Sequence, residues 1–285
     1  MRISLRSTYL IAVGDCLSGF KVLITNDDSY LSPGLYLLHD AIKDLANTLI
    51  ISTMLPRSAV GHVISFNKPL RLHKTVHAGR EVYVTDGTPV DAIHLAISVL
   101  KFKPDLVLSG VNVGENLSLQ HTYYSGTLAA AIEAALLGIP AIAFSADVLF
   151  YEDFRKPELA EVVKVIARRL TKYVLGNGLP KGTDLLSVNI PSMSKFRYCV
   201  KVGRSARLRW VAEFEERLDT RGRPYYWLQT KPIEAPKGTD VYIATVEGCV
   251  AITPMNIDVS SVAGVAHEEL SDLVRSIECE VQSLK

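Results

Sequence analysis

Short apolar segments of the sequence alternate with segments whose apolar residues recur at helical spacing. This alternation limits the fold more than any other feature. The strand-like segments are continuous runs of apolar and β-branched residues, typical of strands buried on both faces of a parallel sheet. They cover residues 21–26, 48–53, 81–86, 105–112, 141–146 and 184–190. We therefore predict an α/β fold: a three-layer α/β/α Rossmann-like core around a mostly parallel sheet.

Helix start and stop signals place helices between these strands. Ser32 and Pro33 are typical of an N-cap and a first helical position. Thr88, Pro89 and Asp91 have the spacing of a capping box. Two longer helices are predicted over residues 125–138 and 157–175. Together these helices are expected to cover both faces of the sheet.

The pattern changes after about residue 197. Residues 197–204, 224–230 and 240–255 are predicted as strands with no helix between them. Residues 204–237 are predicted to form a protruding β-hairpin, and a strand within 240–255 is expected to return to the main sheet. The protruding hairpin would leave apolar side chains without cover on one chain.

Three segments are predicted along the chain: an N-terminal extension (1–20), a core domain (21–257) and a C-terminal amphipathic helix (258–285). The first 20 residues contain a short apolar run, which Gly14 and Asp15 interrupt, and no cleavage site follows. An extension is therefore favoured over a signal peptide. The hairpin and the C-terminal helix are expected to be used in oligomerisation.

Composition narrows the possible partners. The formal net charge is +1 with no basic stripe, which argues against binding to a nucleic acid polymer. Hydrophobic residues make up 48% of the chain and the mean hydropathy is +0.19, which is apolar enough to favour a homodimer or homotetramer. No segment approaches the roughly 20 apolar residues of a membrane helix. We expect a cytoplasmic protein that does not bind membranes.

The four cysteines do not form a C-x-x-C pair, so a structural zinc site is not expected. They are Cys16, Cys199, Cys249 and Cys279. Buried thiols in a reducing compartment are the favoured interpretation. Disulfides of the kind found in hyperthermophile proteins are the alternative.

Three polar residues, Asn26, Asp27 and Asp28, follow the first predicted strand. Ser58 and Asn112 follow two other strands, and ligands of open parallel sheets bind at the carboxyl ends of strands. Turn formation is one explanation for such residues. The other is a hard divalent cation (Mg²⁺, Mn²⁺ or Ca²⁺), because two adjacent buried carboxylates repel each other unless a cation lies between them. The spacing alone supports both explanations.

Ser125, Gly126 and Thr127 open a predicted helix. Ordinary helix capping explains the Ser and Thr. The unpaired N–H groups at a helix start also form an anion site. A cation at Asp27 and Asp28 and this helix start would together hold a phosphate from two sides, which strengthens both interpretations.

Several motifs, in order, resemble the survival protein SurE family of metal-dependent nucleotidases and acid phosphatases. They are ITNDDSYLSPG (24–34), GTPVDAI (87–93), DLVLSGVNVGENL (105–117), YYSGTLAAAIEA (123–134), RGRPYYW (221–227) and EGCVAITPM (247–255). The combination of TNDD, SGxNxGxN and YSGT is highly specific, and the match runs from about Lys21 to Met255. The resemblance implies a Rossmann-like phosphatase domain and an oligomer built by swapped elements.

The resemblance also implies the roles of individual residues. The metal ligands would be Asp27, Asp28, Ser58 and Asn112, holding one Mg²⁺ or Mn²⁺ per subunit. The phosphate-binding residues would be Asn116, Ser125, Gly126 and Thr127. The catalytic residues would be Asp27, Asn116 and Ser125. One departure is Ser29, where the family has Gly after the Asp pair, so a positive φ there would strain the turn.

The reaction implied is hydrolysis of nucleoside monophosphates to nucleoside and phosphate, as a 5′/3′-nucleotidase with acid phosphatase character. The alternative is a non-catalytic nucleotide-binding or sensor module of the same fold. An aspartyl-phosphate route through Asp27 is disfavoured because the D-x-D-x-T motif is absent.

Other residues with functional potential have more ordinary interpretations. His94 lies in an apolar helix and is expected in the core or at its boundary, whereas His121 could approach a leaving group. Tyr225, Tyr226 and Trp227 are interpreted as packing residues of an oligomer rather than as stacking partners for a base.

Overall fold

The computed structural model describes residues 19–260 and residue 277, and strands and helices alternate through most of them. The strands are β1 (Lys21–Thr25), β2 (Asn47–Thr53), β3 (Leu72–His77), β4 (Arg80–Thr85), β5 (Leu106–Val113), β6 (Ala141–Ala146), β7 (Leu185–Ile190), β8 (Val200–Val202), β9 (Trp210–Leu218), β10 (Pro224–Pro232) and β11 (Val250–Met255). The helices are α1 (Pro33–Ile42), α2 (Pro89–His94), α3 (Ser118–Tyr124), α4 (Gly126–Leu136), α5 (Pro157–Asn177) and α6 (Asp240–Thr245). A π-helical turn (Leu95–Val99) continues α2, and a 3₁₀ turn (Tyr151–Arg155) precedes α5.

The main sheet has the order β3-β4-β2-β1-β5-β6-β7-β11-β8. Its six central strands, from β4 to β7, are parallel, whereas β3 and β11 run antiparallel to their neighbours β4 and β7. The predicted mostly parallel sheet is thus confirmed. The chain builds outward from β1 to β2 and β4 and then returns to β5 on the other side of β1. The crevice between β1 and β5 is therefore the topological switch point, where ligands of such sheets bind.

Two helical layers cover the sheet. Alternate side chains of β1 point to opposite faces: Val22 and Ile24 belong to the core cluster with α1 and α5, and the fully buried Leu23 does not. Helix α1 packs against α5, and α2 packs against α4. The three-layer α/β/α core is the predicted one.

The predicted capping signals are largely confirmed. Thr88 and Asp91 form both bonds of a capping box, with Asp91 N–H donating to the Thr88 hydroxyl at 3.1 Å and Thr88 N–H donating to the Asp91 carboxylate at 2.8 Å. Ser125 caps α4, accepting from Leu128 N–H at 3.1 Å. Helix α1 begins at Pro33, but the Ser32 side chain makes no capping bond. The short elements β3 and α3 were not predicted.

The prediction that residues 240–255 are entirely strand is wrong at its start, because Asp240–Thr245 is helix α6. The Thr239 hydroxyl caps this helix, accepting from Tyr242 N–H at 3.4 Å. The β-branched Val241 and Ile243 favour a strand locally, but both are buried from within the helix. Strand β11 then returns to the sheet beside β7, as expected.

The prediction of free buried thiols is wrong for two cysteines, since Cys199 and Cys249 form a disulfide. Cys199 precedes β8 and Cys249 precedes β11, and these strands are parallel neighbours. Their Cα atoms lie 4.7 Å apart, within the range that a disulfide spans. Cys16 and Cys279 lie outside the described residues.

The predicted hairpin is present as β9 and β10, which pair over nine residues each and form a separate two-stranded sheet. The N-terminal extension is described only at Gly19 and Phe20. The predicted C-terminal helix lies outside the described residues except for 258–260 and the exposed Ile277, which is helical. Over the described part of the chain, no helix has both the length and the apolarity that crossing a bilayer requires.

Candidate active site

Hydrogen bonds within the turn after β1 and from the neighbouring strand β2 and its loop hold this turn in place. The Asn26 amide donates to the Ser29 carbonyl at 3.1 Å and its oxygen accepts from the Ser52 hydroxyl of β2 at 2.5 Å. Ser29 has a φ of 73°, so the position does require the left-handed conformation that glycine adopts without cost. Arg57 N–H donates to the Asp27 carbonyl at 2.7 Å, which fastens the loop after β2 to this turn.

Asp27 and Asp28 are both buried, each with 3% of its surface exposed. Asp27 accepts a hydrogen bond from the Thr127 hydroxyl at the start of α4. Asp28 accepts one from Val113 N–H at the end of β5, at 2.7 Å. Among the described residues, no Lys, Arg or His side chain forms an ion pair with either carboxylate. The pair is thus buried without a compensating positive side chain.

The energetic cost of this arrangement is visible in the pKa values. Burial raises the pKa of Asp27, against the opposing hydrogen bonds from Thr127 and the start of α4. Burial and the nearby Asp27 charge raise the pKa of Asp28 to about 7. A carboxylate pair that resists ionisation in this way is stabilised in its charged form by a bound cation.

Two of the predicted metal ligands, Ser58 and Asn112, carry neutral oxygen atoms and lie in the same cleft as Asp27. The Asn112 amide nitrogen donates to the carbonyls of Val113 and Gly114 at 3.1 and 2.8 Å. The Asn112 amide oxygen lies 3.3 Å from the Thr127 hydroxyl. Asp27, Ser58 and Asn112 line one cleft of about 250 Å³. Asp28 does not line this cleft but is attached to its wall by the Val113 bond.

The residues predicted to bind phosphate divide into two groups. Asn116 and Ser125 line the same cleft as Asp27. Asn116 is held by its N–H bond to the Asn189 amide oxygen and by donation of its amide to the Ser145 hydroxyl, both at 2.8 Å. Their exposure to the cleft allows direct contact with a ligand.

Gly126 and Thr127 instead pack on Asp27. A Cβ at Gly126 would lie 2.8 Å from the Cβ of Asp27, so only glycine lets the helix start approach this closely. Thr127 is fully buried, and its hydroxyl donates to Asp27 rather than opening into the cleft. The backbone of both residues lowers the pKa of Asp27, so the helix start faces this carboxylate.

The structure adds aromatic residues that the sequence interpretation missed. Tyr124 and Trp210 line the cleft with His121. Trp210 is the first residue of β9, and no local motif links it to a site about 180 residues earlier in the sequence. By contrast, Tyr225 and Trp227 are exposed on the hairpin and do not line the cleft.

The histidines take different places. His121 lies in the cleft. His94 is at the boundary, as expected, and its Nε2 lies 2.7 Å from a Glu133 carboxylate oxygen. His62 approaches the other oxygen of Glu133, also at 2.7 Å. Neither His62 nor His94 lines the cleft.

The predicted ligands, in and beside the cleft, fit a hard cation rather than a soft one. Within the described ranges, no cluster of three or more His, Cys, Asp or Glu side chains has a metal-binding arrangement. The predicted set instead combines two carboxylates with a hydroxyl and an amide oxygen, which are ligands suited to Mg²⁺ or Mn²⁺. The uncompensated burial of Asp27 and Asp28 is the structural feature that such an ion would relieve.

Comparison with known proteins gives one consistent result. Residues 22–212 match the family model described as "Survival protein SurE". The chain is 41% identical over 261 residues to the protein named 5′-nucleotidase SurE of Thermofilum pendens, covering 92% of this chain and 99% of the relative. It is 41% identical over 265 residues to the protein of the same name from Hyperthermus butylicus, covering 92% and 93%. The crystal structure of the SurE protein from Aquifex aeolicus superposes with a TM-score of 0.72 at 34% identity, covering 90% of this chain and 99% of that one.

Proposed function

The chain belongs to the survival protein SurE family, and on this premise we propose that it hydrolyses nucleoside monophosphates to nucleoside and phosphate. The observation that carries the proposal is the cleft at the β1–β5 switch point. There, Asp27 faces the start of α4, and the adjacent buried Asp28 bonds to the end of β5; among the described residues, neither carboxylate has a positive side-chain partner. Phosphomonoester hydrolysis needs positive charge and hydrogen-bond donors around one phosphoryl group, and this cleft is suited to both.

Proteins of the SurE family are generally dependent on a divalent metal. We propose that Asp27, Asp28, Ser58 and Asn112 hold one Mg²⁺ or Mn²⁺. When bound, such an ion supplies the positive charge that polarises a phosphoryl oxygen and activates water. Its charge also favours the ionised form of both carboxylates, which burial opposes.

The protein's own groups are proposed to position the phosphate. Asn116 and Ser125 line the cleft and donate hydrogen bonds to the phosphoryl oxygens on which negative charge develops. Gly126 and Thr127 are proposed to contribute through the partial positive charge of the start of α4, which in this structure faces Asp27. The Thr127 hydroxyl fixes the Asp27 carboxylate, which orients the attacking water.

The test is phosphate release from AMP, measured with the protein as purified, after chelation and after addition of Mn²⁺ or Mg²⁺. Turnover that chelation removes and metal restores supports the proposal. A nucleotide-binding or sensor module of the same fold would instead bind AMP in calorimetry and release no phosphate.

We further propose that the hairpin contacts a second copy of the chain, in a homodimer or homotetramer. Among the described residues, β9 and β10 pair only with each other, and an isolated two-stranded hairpin is marginally stable in water. Its exposed apolar side chains include Phe214, Leu218, Tyr226, Trp227 and Leu228. A partner chain would cover these side chains and stabilise the strand pair.

Light scattering at micromolar concentration tests the assembly. A species of at least twice the 31.3 kDa chain mass supports it. A monodisperse 31.3 kDa species would show that the hairpin remains uncovered.

A further inference from the structure

Trp210 forms a wall of the cleft from the base of the hairpin. It lines the cleft with Tyr124, and their ring centroids lie 6.1 Å apart with the planes inclined at 34°. The same cleft contains Asp27 and Ser125, which are proposed to act on the phosphate. Two aromatic rings therefore lie within one cleft with the proposed reaction centre.

A chain of hydrogen bonds fixes the orientation of this indole. The Trp210 Nε1–H donates to His121 Nε2 at 2.7 Å. Because an indole N–H only donates, His121 Nε2 must accept, so its Nδ1–H donates to Glu115 at 3.1 Å. Burial opposes ionisation of Glu115, but its bonds to His121 and Arg209 hold its pKa below the ordinary value. The indole N–H is thus committed to His121.

The backbone around Trp210 is fixed as well. The Gln120 amide oxygen of α3 accepts from the N–H groups of both Arg209 and Trp210, at 3.0 and 3.2 Å. The buried Asp240 carboxylate accepts from Ser118 N–H and Ala206 N–H, both at 2.8 Å. The base of the hairpin is therefore attached to the helix that precedes the proposed phosphate-binding helix.

We propose that Trp210 is the residue that recognises the nucleobase, by stacking the base against its fixed indole ring. This inference rests on the proposed nucleotidase function and names the residue that distinguishes a nucleotide from a simple sugar phosphate. Glu115 and His121 are positioning residues, since they act through the indole. Stacking a base on an aromatic side chain is worth roughly 5- to 150-fold in affinity.

The test compares kcat/KM for AMP and for ribose 5-phosphate, which carries the same phosphate and sugar without the base. Trp210→Ala should lower the ratio of the two values about tenfold or more, through KM for AMP. Trp210→Phe should retain most of the ratio because it keeps an aromatic face. His121→Ala should lower the ratio in part. His121→Gln should restore the ratio because its amide oxygen can accept the indole N–H.

Trp227→Ala is the matched control, since Trp227 is the only other tryptophan and is 56% exposed on the same hairpin. It should leave the ratio as in the wild type. An equal loss for both substrates in Trp210→Ala, or the same change of ratio in Trp227→Ala, would overturn the stacking role.

Fluorescence separates this inference from the proposed function. In a Trp227→Phe variant, Trp210 is the only tryptophan, and AMP should quench its emission whereas ribose 5-phosphate should not. Quenching of Trp210 emission by AMP without phosphate release would overturn the nucleotidase proposal and support base stacking on Trp210. Phosphate release from AMP without quenching would overturn base stacking on Trp210 and leave the nucleotidase proposal in place.

Discussion

The turn after β1 and the β9–β10 hairpin place charges in opposite environments. Asp27 and Asp28 are 3% exposed and have no positive side-chain partner among the described residues. On the hairpin, Glu215 and Arg217 form an ion pair at 2.7 Å, with side chains 43% and 54% exposed. One region buries like charges together, and the other displays opposite charges in water.

The pKa values show what this difference means. The hydrogen bond from Arg217 lowers the pKa of Glu215, so the charged form of Glu215 is favoured at its exposed position. Burial and the Asp27 charge raise the pKa of Asp28 to about 7. The charge of Glu215 is therefore balanced by a neighbouring side chain, whereas the charges of Asp27 and Asp28 are not, which is why we propose a bound cation there.

The largest effect is expected at Asp28. Asp28→Asn should lower kcat/KM for AMP by about 100-fold or more, because the neutral side chain cannot share a divalent ion with Asp27. Asp86→Asn is the matched control: Asp86 also follows a parallel strand, but it bonds to Arg71 outside the cleft and its loss should leave turnover unchanged. If Asp28→Asn and Asp86→Asn had equal activity, the reaction would not depend on Asp28.

The next effect concerns the disulfide whose cysteines flank the hairpin in the sequence. Cys199 and Cys249 are 50 residues apart, and the loop they close contains the hairpin. Cys249→Ser should lower the free energy of unfolding by about 2–4 kcal/mol, measured by denaturant titration. Turnover of AMP at moderate temperature should be retained. An unchanged midpoint would show that the crosslink adds nothing to stability.

A smaller effect is expected from pH. In the metal-free protein the folded pKa of Asp28 is about 7, above the ordinary aspartate value of about 3.9. The folded state therefore retains a proton that the unfolded state releases, and this contribution to stability is lost as pH rises from about 4 to 7. The melting temperature of wild type should fall relative to that of Asp28→Asn as the pH is raised through this range. If the melting temperatures of wild type and Asp28→Asn changed equally with pH, the raised pKa of Asp28 would be contradicted.

The smallest effect is expected on the hairpin. Arg217→Ala removes one partner of an exposed ion pair, and such pairs contribute little because water and salt screen them. The melting temperature and AMP turnover should stay within the error of measurement. A large loss would show that the face with Glu215 and Arg217 also takes part in the proposed contact with a second copy.

The sequence predicted the features that local patterns encode. Continuous apolar runs identified β1, β2 and β4 to β7, and the Thr88–Asp91 spacing identified a capping box that is present. Helix α6 was missed because burial of Val241 overrides its preference for strands. Helix-capping rules correctly placed Ser125 but could not show that Thr127 donates to a carboxylate 100 residues earlier.

Long-range contacts account for the other differences. Trp210 reaches the cleft only because Gln120 and Asp240 fix the base of the hairpin against α3. The Cys199–Cys249 bond depends on β8 and β11 being neighbours, which spacing in the sequence does not reveal. The Ser29 position, by contrast, was identified from its departure from a glycine and does have a positive φ.

A calorimetric titration of Mn²⁺ tests most directly whether the buried Asp27 and Asp28 hold a divalent ion. Wild type should bind one ion per chain, more weakly at pH 6 than at pH 8, because protons compete for a carboxylate whose pKa is about 7. Asp28→Asn should show little or no binding at either pH. Binding of Mn²⁺ to Asp28→Asn with wild-type affinity would contradict a metal site formed by this carboxylate pair.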